Sequence, residues 1–316
     1  MFKLFSKKTT VSGLLGLSVS DERVLAAHLT QGSGADEYPT LRNCSHQALD
    51  SAGQAREVLA ALVDSMDING LGCNFVLSPR DYNLYLIEAP AVEAAEMSSA
   101  VRWKIKDLLD MPAEDAVVDI FPVPEDAFQG RAKMLYAVAA QKSRIQSVIE
   151  LVDKAGLKLQ SIDIPELAMR NISNALLRDE HGLAFMDLRK TGSTMNLSKN
   201  GQLYLTRKIN TALDSNVMHS RDWETQRDRL VLEIQRSLDY YESQMGQNPI
   251  SQIVLAPRAS DSHAMAESLN SVMSVKVSVA DLSGCMNISD TVDAETQHMC
   301  LLAIGGALRN EKAVRE

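Results

Sequence analysis

The stretch Met186-Asp-Leu-Arg-Lys-Thr-Gly-Ser-Thr194 brings together a carboxylate, two cations, a glycine and two hydroxyls. Arg189 and Lys190 could draw an anion there, but an ordinary polar hairpin turn accounts for them equally, and we favour it. Gly305-Gly306 could pass for a nucleotide loop. It lies in an Ala-Ile-Gly-Gly-Ala run that reads as a helix, where missing side chains allow close packing. Cys44, Cys73, Cys285 and Cys300 form no Cys-x-x-Cys pair and suit neither a zinc site nor a disulfide framework. They read as buried or half-buried thiols in a reducing compartment. The six histidines are scattered, with no spacing that suggests a metal. Met1-Phe-Lys-Leu-Phe-Ser-Lys-Lys8 sets three lysines among apolar side chains. It suits either contact with an anionic membrane surface or a frayed terminus.

The 316 residues suffice for one large domain or two ordinary ones, and 45% apolar with 23% charged residues is ordinary for a globular protein. A net charge of -9, without any basic stripe carrying aromatics, excludes nucleic acid as a partner. No apolar run approaches the ~20 residues of a membrane-spanning helix, and the N-terminus lacks the apolar stretch of a signal peptide.

The elements that must position these residues follow a repeated plan. Apolar runs at Leu14–Val19 and Val24–Leu29 around Ser20-Asp-Glu22, with a third near Tyr38–Cys44, predict a three-stranded meander. Ser51 and Gln54 form a capping-box pattern ahead of Val58, Leu59, Leu62, Val63 and Met66 on one helical face. Strands are expected at 73–77 and 84–87, a helix from about Val92 to Leu109 stopped by Met111-Pro112, and strands at 117–123 and 134–139. A helix bearing Ile145, Val148, Ile149 and Val152, a strand at 157–162 and a helix opened by Pro165 follow. Arg178-Asp-Glu-His-Gly182 is the candidate domain boundary. Beyond it the pattern restarts, with strands at 184–188, 194–198 and 203–209 and a turn at Asn200-Gly201. A long amphipathic helix with Leu230, Ile234, Leu238 and Tyr241 comes next. A strand at 253–256, a helix, a strand at 275–279 and a final helix near Glu295–Arg309 complete the half. Two meanders, each followed by alternating helices and strands, indicate an internal duplication.

This plan resembles the actin/Hsp70/sugar-kinase superfamily. Within it the chain is similar to the PilM family, the actin-like proteins of type IV pilus assembly. Three segments carry the resemblance: Ser99-Ala-Val-Arg-Trp-Lys-Ile-Lys-Asp-Leu-Leu-Asp-Met-Pro-Ala-Glu-Asp-Ala-Val-Val-Asp-Ile120, Asp163-Ile-Pro-Glu-Leu-Ala168 and Leu232-Glu-Ile-Gln-Arg-Ser-Leu-Asp-Tyr-Tyr241. Within that family the resemblance extends to the branch that serves mannose-sensitive haemagglutinin (MSHA) pili. The resemblance implies an α/β, actin-like two-domain fold with duplicated mixed sheets. Residues 1–177 would form the first domain, with an inserted subdomain at about 84–162 and a C-terminal helix, 293–310, packing back on it. Residues 182–292 would form the second domain.

Proteins of this superfamily hold phosphate between two hairpin loops, each with an acid at a strand end and a glycine that admits backbone N–H groups. A third, glycine-rich turn seats adenosine. By this resemblance Ser18 stands at the first loop's acid and Ser20 at its glycine, with Asp21 and Glu22 repelling phosphate. In the second loop Asp187, Gly192, Ser193 and Thr194 are kept while Arg189 replaces a glycine. In the third turn Pro257-Arg258 replaces a glycine pair. The expectation is a degenerate nucleotide site, no catalysis and no cofactor. The alternative is an ATP- and magnesium-binding ATPase of the same machine. A sugar-kinase-like enzyme would need a cleft aspartate, for which Asp187 is the one candidate.

The partner implied is a bitopic, PilN-like inner-membrane protein, whose short cytoplasmic tail lies beside the inserted subdomain, together with other pilus assembly platform proteins. Tyr82, Leu84, Tyr85, Leu86 and Trp103 are the candidate contacts, partly by strand addition; for Leu84 and Leu86 plain core packing is the stronger reading. The location implied is cytoplasmic, peripheral at the inner membrane.

Overall fold

Apolar runs separated by short polar turns fold as the first meander: β1 (Leu14–Val19), β2 (Arg23–Thr30) and β3 (Thr40–Ala48), paired antiparallel in sequence order. The structure, a computed structural model, describes residues 12–32, 38–128, 130, 132–176, 181–190, 192–211, 213, 217–258 and 261–309. The segment 1–8 and Arg178–Glu180 of the expected boundary lie outside these residues. A 3₁₀ turn at Ala52–Gln54 leads into α1 (Ala55–Met66). The expected capping box takes another form: the Gln54 side chain accepts from the Asp50 amide at 3.1 Å, and no side chain caps the helix proper. Then come β4 (Gly72–Val76), β5 (Tyr82–Glu88), α2 (Met97–Ile105), β6 (Ala116–Pro122), β7 (Met134–Gln141), α3 (Lys142–Lys154), β8 (Lys158–Asp163) and α4 (Pro165–Leu176).

The second meander is β9 (Leu183–Asp187), β10 (Ser193–Lys199) and β11 (Gln202–Ile209). It is followed by α5 (Trp223–Asp239), which runs on into a π-helical turn at Tyr240–Gln244. The rest is β12 (Gln252–Leu255), α6 (Ser262–Asn270), β13 (Lys276–Val279), β14 (Asn287–Ile288), α7 (Ala294–Met299) and α8 (Leu301–Ala307).

The two large sheets share one topology. The first has the order β14-β3-β2-β1-β4-β8, with β4 and β8 parallel to β1 and to each other. The second has the order β11-β10-β9-β12-β13, again a meander extended by two parallel strands. A third sheet, β5-β7-β6, carries α2 as a separate layer, whose core is Val101, Ile105, Ala116, Val118, Leu135, Ala137 and Ala139.

Four differences from the sequence reading have local causes. The inserted layer ends at Gln141, not near 162, because β8 returns to pair with β4 in the first sheet. The helix expected from Val92 begins at Met97, after turns through Ala94–Glu96. The final helix is two, broken at Cys300. The two-residue β14, too short for a periodicity signal, pairs with the outer strand β3.

Helix α8 lies on β1, β2, β4 and α4 with no room for side chains at the contact. A Cβ on Gly16 of β1 would stand 1.7 Å from the Ala303 carbonyl oxygen, and one on Gly305 would stand 2.3 Å from that of Ala168 in α4. Asn74 and Asn171 donate to the Gly306 and Gly305 carbonyls at 3.0 and 2.9 Å, so the buried backbone is satisfied.

Candidate functional site

The first loop is the β1–β2 turn. Ser18 is buried on β1 between Leu25 of β2 and Val76 of β4. Ser20 closes the turn itself: its Oγ accepts from the amides of Glu22 and Arg23, each at 3.3 Å, and donates to the Arg23 carbonyl at 3.4 Å. The Ser20, Glu22 and Arg23 amides, which could otherwise face a phosphate at this turn, already have an oxygen partner. Arg144 of α3 fastens the turn from behind, donating to the Val19 carbonyl at 3.3 Å and to Asp81 at 2.9 Å.

The second loop joins β9 to β10. Asp187 ends β9 as a buried carboxylate. Arg189 folds back on it, Nε to Oδ2 at 2.6 Å, which leaves the buried Oδ1 without a hydrogen-bond partner among the described residues. The Arg189 carbonyl accepts from the amides of Gly192 and Leu213 at 3.4 and 3.3 Å. Ser193 is buried and donates to the Thr211 carbonyl at 2.7 Å, while Thr194 pairs across the ladder with Asp187. Thr191 lies outside the described residues. In the third turn the Pro257 carbonyl accepts from His298 Nδ1, and Arg258 Nη1 reaches the Leu188 carbonyl at 2.5 Å.

All three loops converge on one short helix that sequence reasoning did not single out. Arg23 of the first turn meets Met299 Sδ at 3.6 Å, Arg189 of the second donates to the His298 carbonyl at 3.4 Å, and Pro257 of the third binds the His298 ring. Helix α7 thus stands between the loops of both large sheets. Burial pushes the His298 imidazole below its usual 6.5, and the Arg189 guanidinium adds to this; Asp187 and the Pro257 carbonyl oppose it. His298 was one histidine among six, and contacts across such sequence separations leave no mark on local periodicity.

The acids of the Asp163-Ile-Pro-Glu junction are taken up in the fold. Asp163 pairs with Arg309 at 2.9 Å, and Glu166 receives the Tyr82 hydroxyl at 2.5 Å. Burial raises the pKa of Glu166 against the smaller lowering effects of the Tyr82 hydroxyl, its own backbone amide and the Lys208 charge, and raises that of Tyr82, to which the Glu166 charge adds.

The candidate partner contacts divide into core and surface. Tyr82 is buried, its hydroxyl committed to Glu166, so it offers no surface to a peptide. Leu84 packs against the cores of both large sheets. Tyr85 is half-buried on the opposite face of the strand and donates to the Leu108 carbonyl at 2.9 Å. Leu86 is half-buried and lines a groove with Leu205, Thr206, Arg207, Lys208 and Tyr240. Trp103, on the outer face of α2, is 70% exposed, with Lys106 Nζ 4.7 Å above its ring and exposed Leu108 on the turn that follows.

No family model and no curated protein sequence matches the chain. Solved structures do. The PilM-PilN type IV pilus biogenesis complex superposes with a TM-score of 0.70 at 18% identity, covering 95% of this chain and 98% of that one. A Bacteroides thetaiotaomicron protein described as having an actin-like ATPase fold and unknown function superposes with a TM-score of 0.53 at 10% identity, covering 93% and 96%. The chain has the actin-like fold. The hairpins β1–β2 and β9–β10 occupy equivalent places in its two similarly ordered sheets. Among the described residues no helix is long and apolar enough to cross a membrane.

Proposed function

We propose that this protein is a non-catalytic scaffold of a type IV pilus assembly platform, of the MSHA type, gripping the cytoplasmic tail of a PilN-like bitopic inner-membrane protein. The observation that carries the reading is the filling of the phosphate hairpins by the protein's own groups. Ser20 Oγ occupies the Glu22 and Arg23 amides of the first turn, Arg189 neutralises Asp187 in the second, and α7 stands between them. A triphosphate would have to displace all of these and accept Asp21 and Glu22 beside it. Each carboxylate–phosphate pair a few ångströms apart costs ~1 kcal/mol even in water. The residues present therefore do not fit ATP and magnesium. Likeness over nearly the whole chain to a PilM-PilN complex supports the platform role and a PilN-like partner. It also supports a place at the cytoplasmic side of an inner membrane, with other platform proteins as further partners.

On this reading Trp103 and Leu86 are the accessible tail contacts, and Leu84 and Tyr85 shape the layer beneath them. Calorimetry tests the proposal directly. The tail peptide of a PilN-like protein should bind saturably without nucleotide, and Trp103→Ala should weaken it about tenfold, ~1.4 kcal/mol. Millimolar ATP with magnesium should give no saturable heat. Micromolar ATP binding, or turnover abolished by Asp187→Ala, would replace the scaffold with an ATPase.

A further inference from the structure

Strand β11 is the outer strand of the second sheet, so one edge of it has no strand neighbour. Part of that edge is already closed. Tyr136 of β7 places its hydroxyl where a neighbouring strand would be, donating to the Tyr204 carbonyl at 3.3 Å and accepting from the Thr206 amide at 3.2 Å. Along a strand, alternate residues turn both backbone groups to the same side. The Thr206 carbonyl and the Lys208 amide and carbonyl therefore face that edge too, just beyond the reach of Tyr136.

There the edge opens into a groove of about 380 Å³ lined by Leu86, Leu205, Thr206, Arg207, Lys208 and Tyr240. Its chemistry is two-sided. Leu86 and Tyr240 supply an apolar floor, and the π-helical turn that begins at Tyr240 holds that ring under Arg207, with the guanidinium carbon 4.7 Å from the ring centroid. Stacking uses the face of the guanidinium and leaves its in-plane N–H donors to a carboxylate. Neither Arg207 nor exposed Lys208 has a hydrogen-bonded or ion-paired partner among the described residues. Two such adjacent cations on an edge strand stand out in a chain of net charge -9. Charge on an edge discourages pairing with arbitrary strands while admitting a complementary one.

We propose that this groove binds an extended acidic peptide segment of another protein, which adds as a strand to β11 at Thr206–Lys208. Its backbone continues the ladder that Tyr136 ends, its apolar side chains lie over Leu86 and Tyr240, and its carboxylates meet Arg207 and Lys208. The site lies apart from Trp103 but shares Leu86 with the tail contact proposed above, so the two are told apart by charge reversal at Arg207 and Lys208.

The test uses the full chain and two fluorescein-labelled octapeptides, Val-Glu-Glu-Val-Val-Glu-Glu-Val and the same peptide with Lys for each Glu, so that an added strand carries charge on both faces, as neighbouring Arg207 and Lys208 do on β11. Fluorescence anisotropy should show saturable binding of the Glu peptide, weakened by added salt, and binding of the Lys peptide at least about tenfold weaker. The double variant Arg207→Glu with Lys208→Glu should invert that preference. Hydrogen exchange should slow at the Lys208 amide when the Glu peptide is bound. Lys208→Pro, which removes an edge donor at a position where proline is tolerated, should weaken binding at unchanged circular dichroism. Equal affinity for the two peptides, charge reversal without effect, protection appearing only away from β11, or no binding of the Glu peptide at millimolar concentration would each overturn the proposal. A tail peptide that bound normally in the charge-reversed variant would leave the tail contact intact while locating it elsewhere.

Discussion

Arg189 and His298 are the residues on which the closed loops turn. Removing the guanidinium in Arg189→Ala leaves Asp187 buried with neither oxygen partnered by a described side chain. Breaking such a pair costs more than the pair was worth, because a buried charge is left behind. We expect a loss of roughly 2 kcal/mol in urea unfolding, moderated because Arg189 is a quarter exposed. A change within experimental error would show that the pair adds nothing to stability. His298 gives a pH signature. Its pKa is lower folded than unfolded, so between the two values the unfolded chain binds more protons. Stability contributed by the neutral ring is present above about 6.5 and is lost as pH falls towards the folded pKa. Glu166, raised by burial, acts with the opposite sign, so the readout is a difference. Wild type should lose more stability than His298→Gln between pH 7.5 and 5.5, measured by thermal melts. Parallel losses would exclude His298 as a source of acid sensitivity.

Single elements show what the sequence made legible and what it did not. Apolar runs and turn residues marked five of the six meander strands to within a residue, because strands buried on both faces read as unbroken apolar runs, while β3, expected to end near Cys44, runs on to Ala48 through mixed, partly exposed residues. That Ser20, Arg189 and Pro257 stand where the resemblance expects glycine was also open to view, once the loops were aligned by that resemblance. Hidden were the return of β8 to the first sheet, decided by pairing partners, and the wedge of α7, decided by contacts such as Arg23 with Met299. The tight seat of α8 stood between these cases. Gly305-Gly306 advertised close packing, but nothing in the sequence named Gly16 as its counterpart. Gly16→Ala should cost about 3 kcal/mol or more, since the clash is with helix backbone rather than with a side chain that can turn away. Gly284→Ala meets open space and should stay within about 0.5 kcal/mol. Equal effects in chemical denaturation would mean that the β1–α8 contact relaxes.

Across the whole molecule α8 binds the parts together. It lies on β1, β2, β4 and α4, and its buried residues share one apolar core with Leu25, Leu29, Leu41 and Phe185 from the two large sheets. A chain ending at Asp293 should therefore expose apolar faces of both sheets at once. We expect strong binding of an environment-sensitive dye and no cooperative melting transition; an unchanged melting temperature would show that each sheet is stable alone. The meeting of Gly16 with Ala303 has a bearing on how the molecule is made. Translation delivers β1 long before α8, so the sheet waits with that face bare while the intervening residues are polymerised at ~5–20 residues per second. During those seconds the surface destined for α8 is open to any passing hydrophobic segment. This architecture should thus lean on cotranslational chaperones, and slowing synthesis should harm its yield rather than improve it.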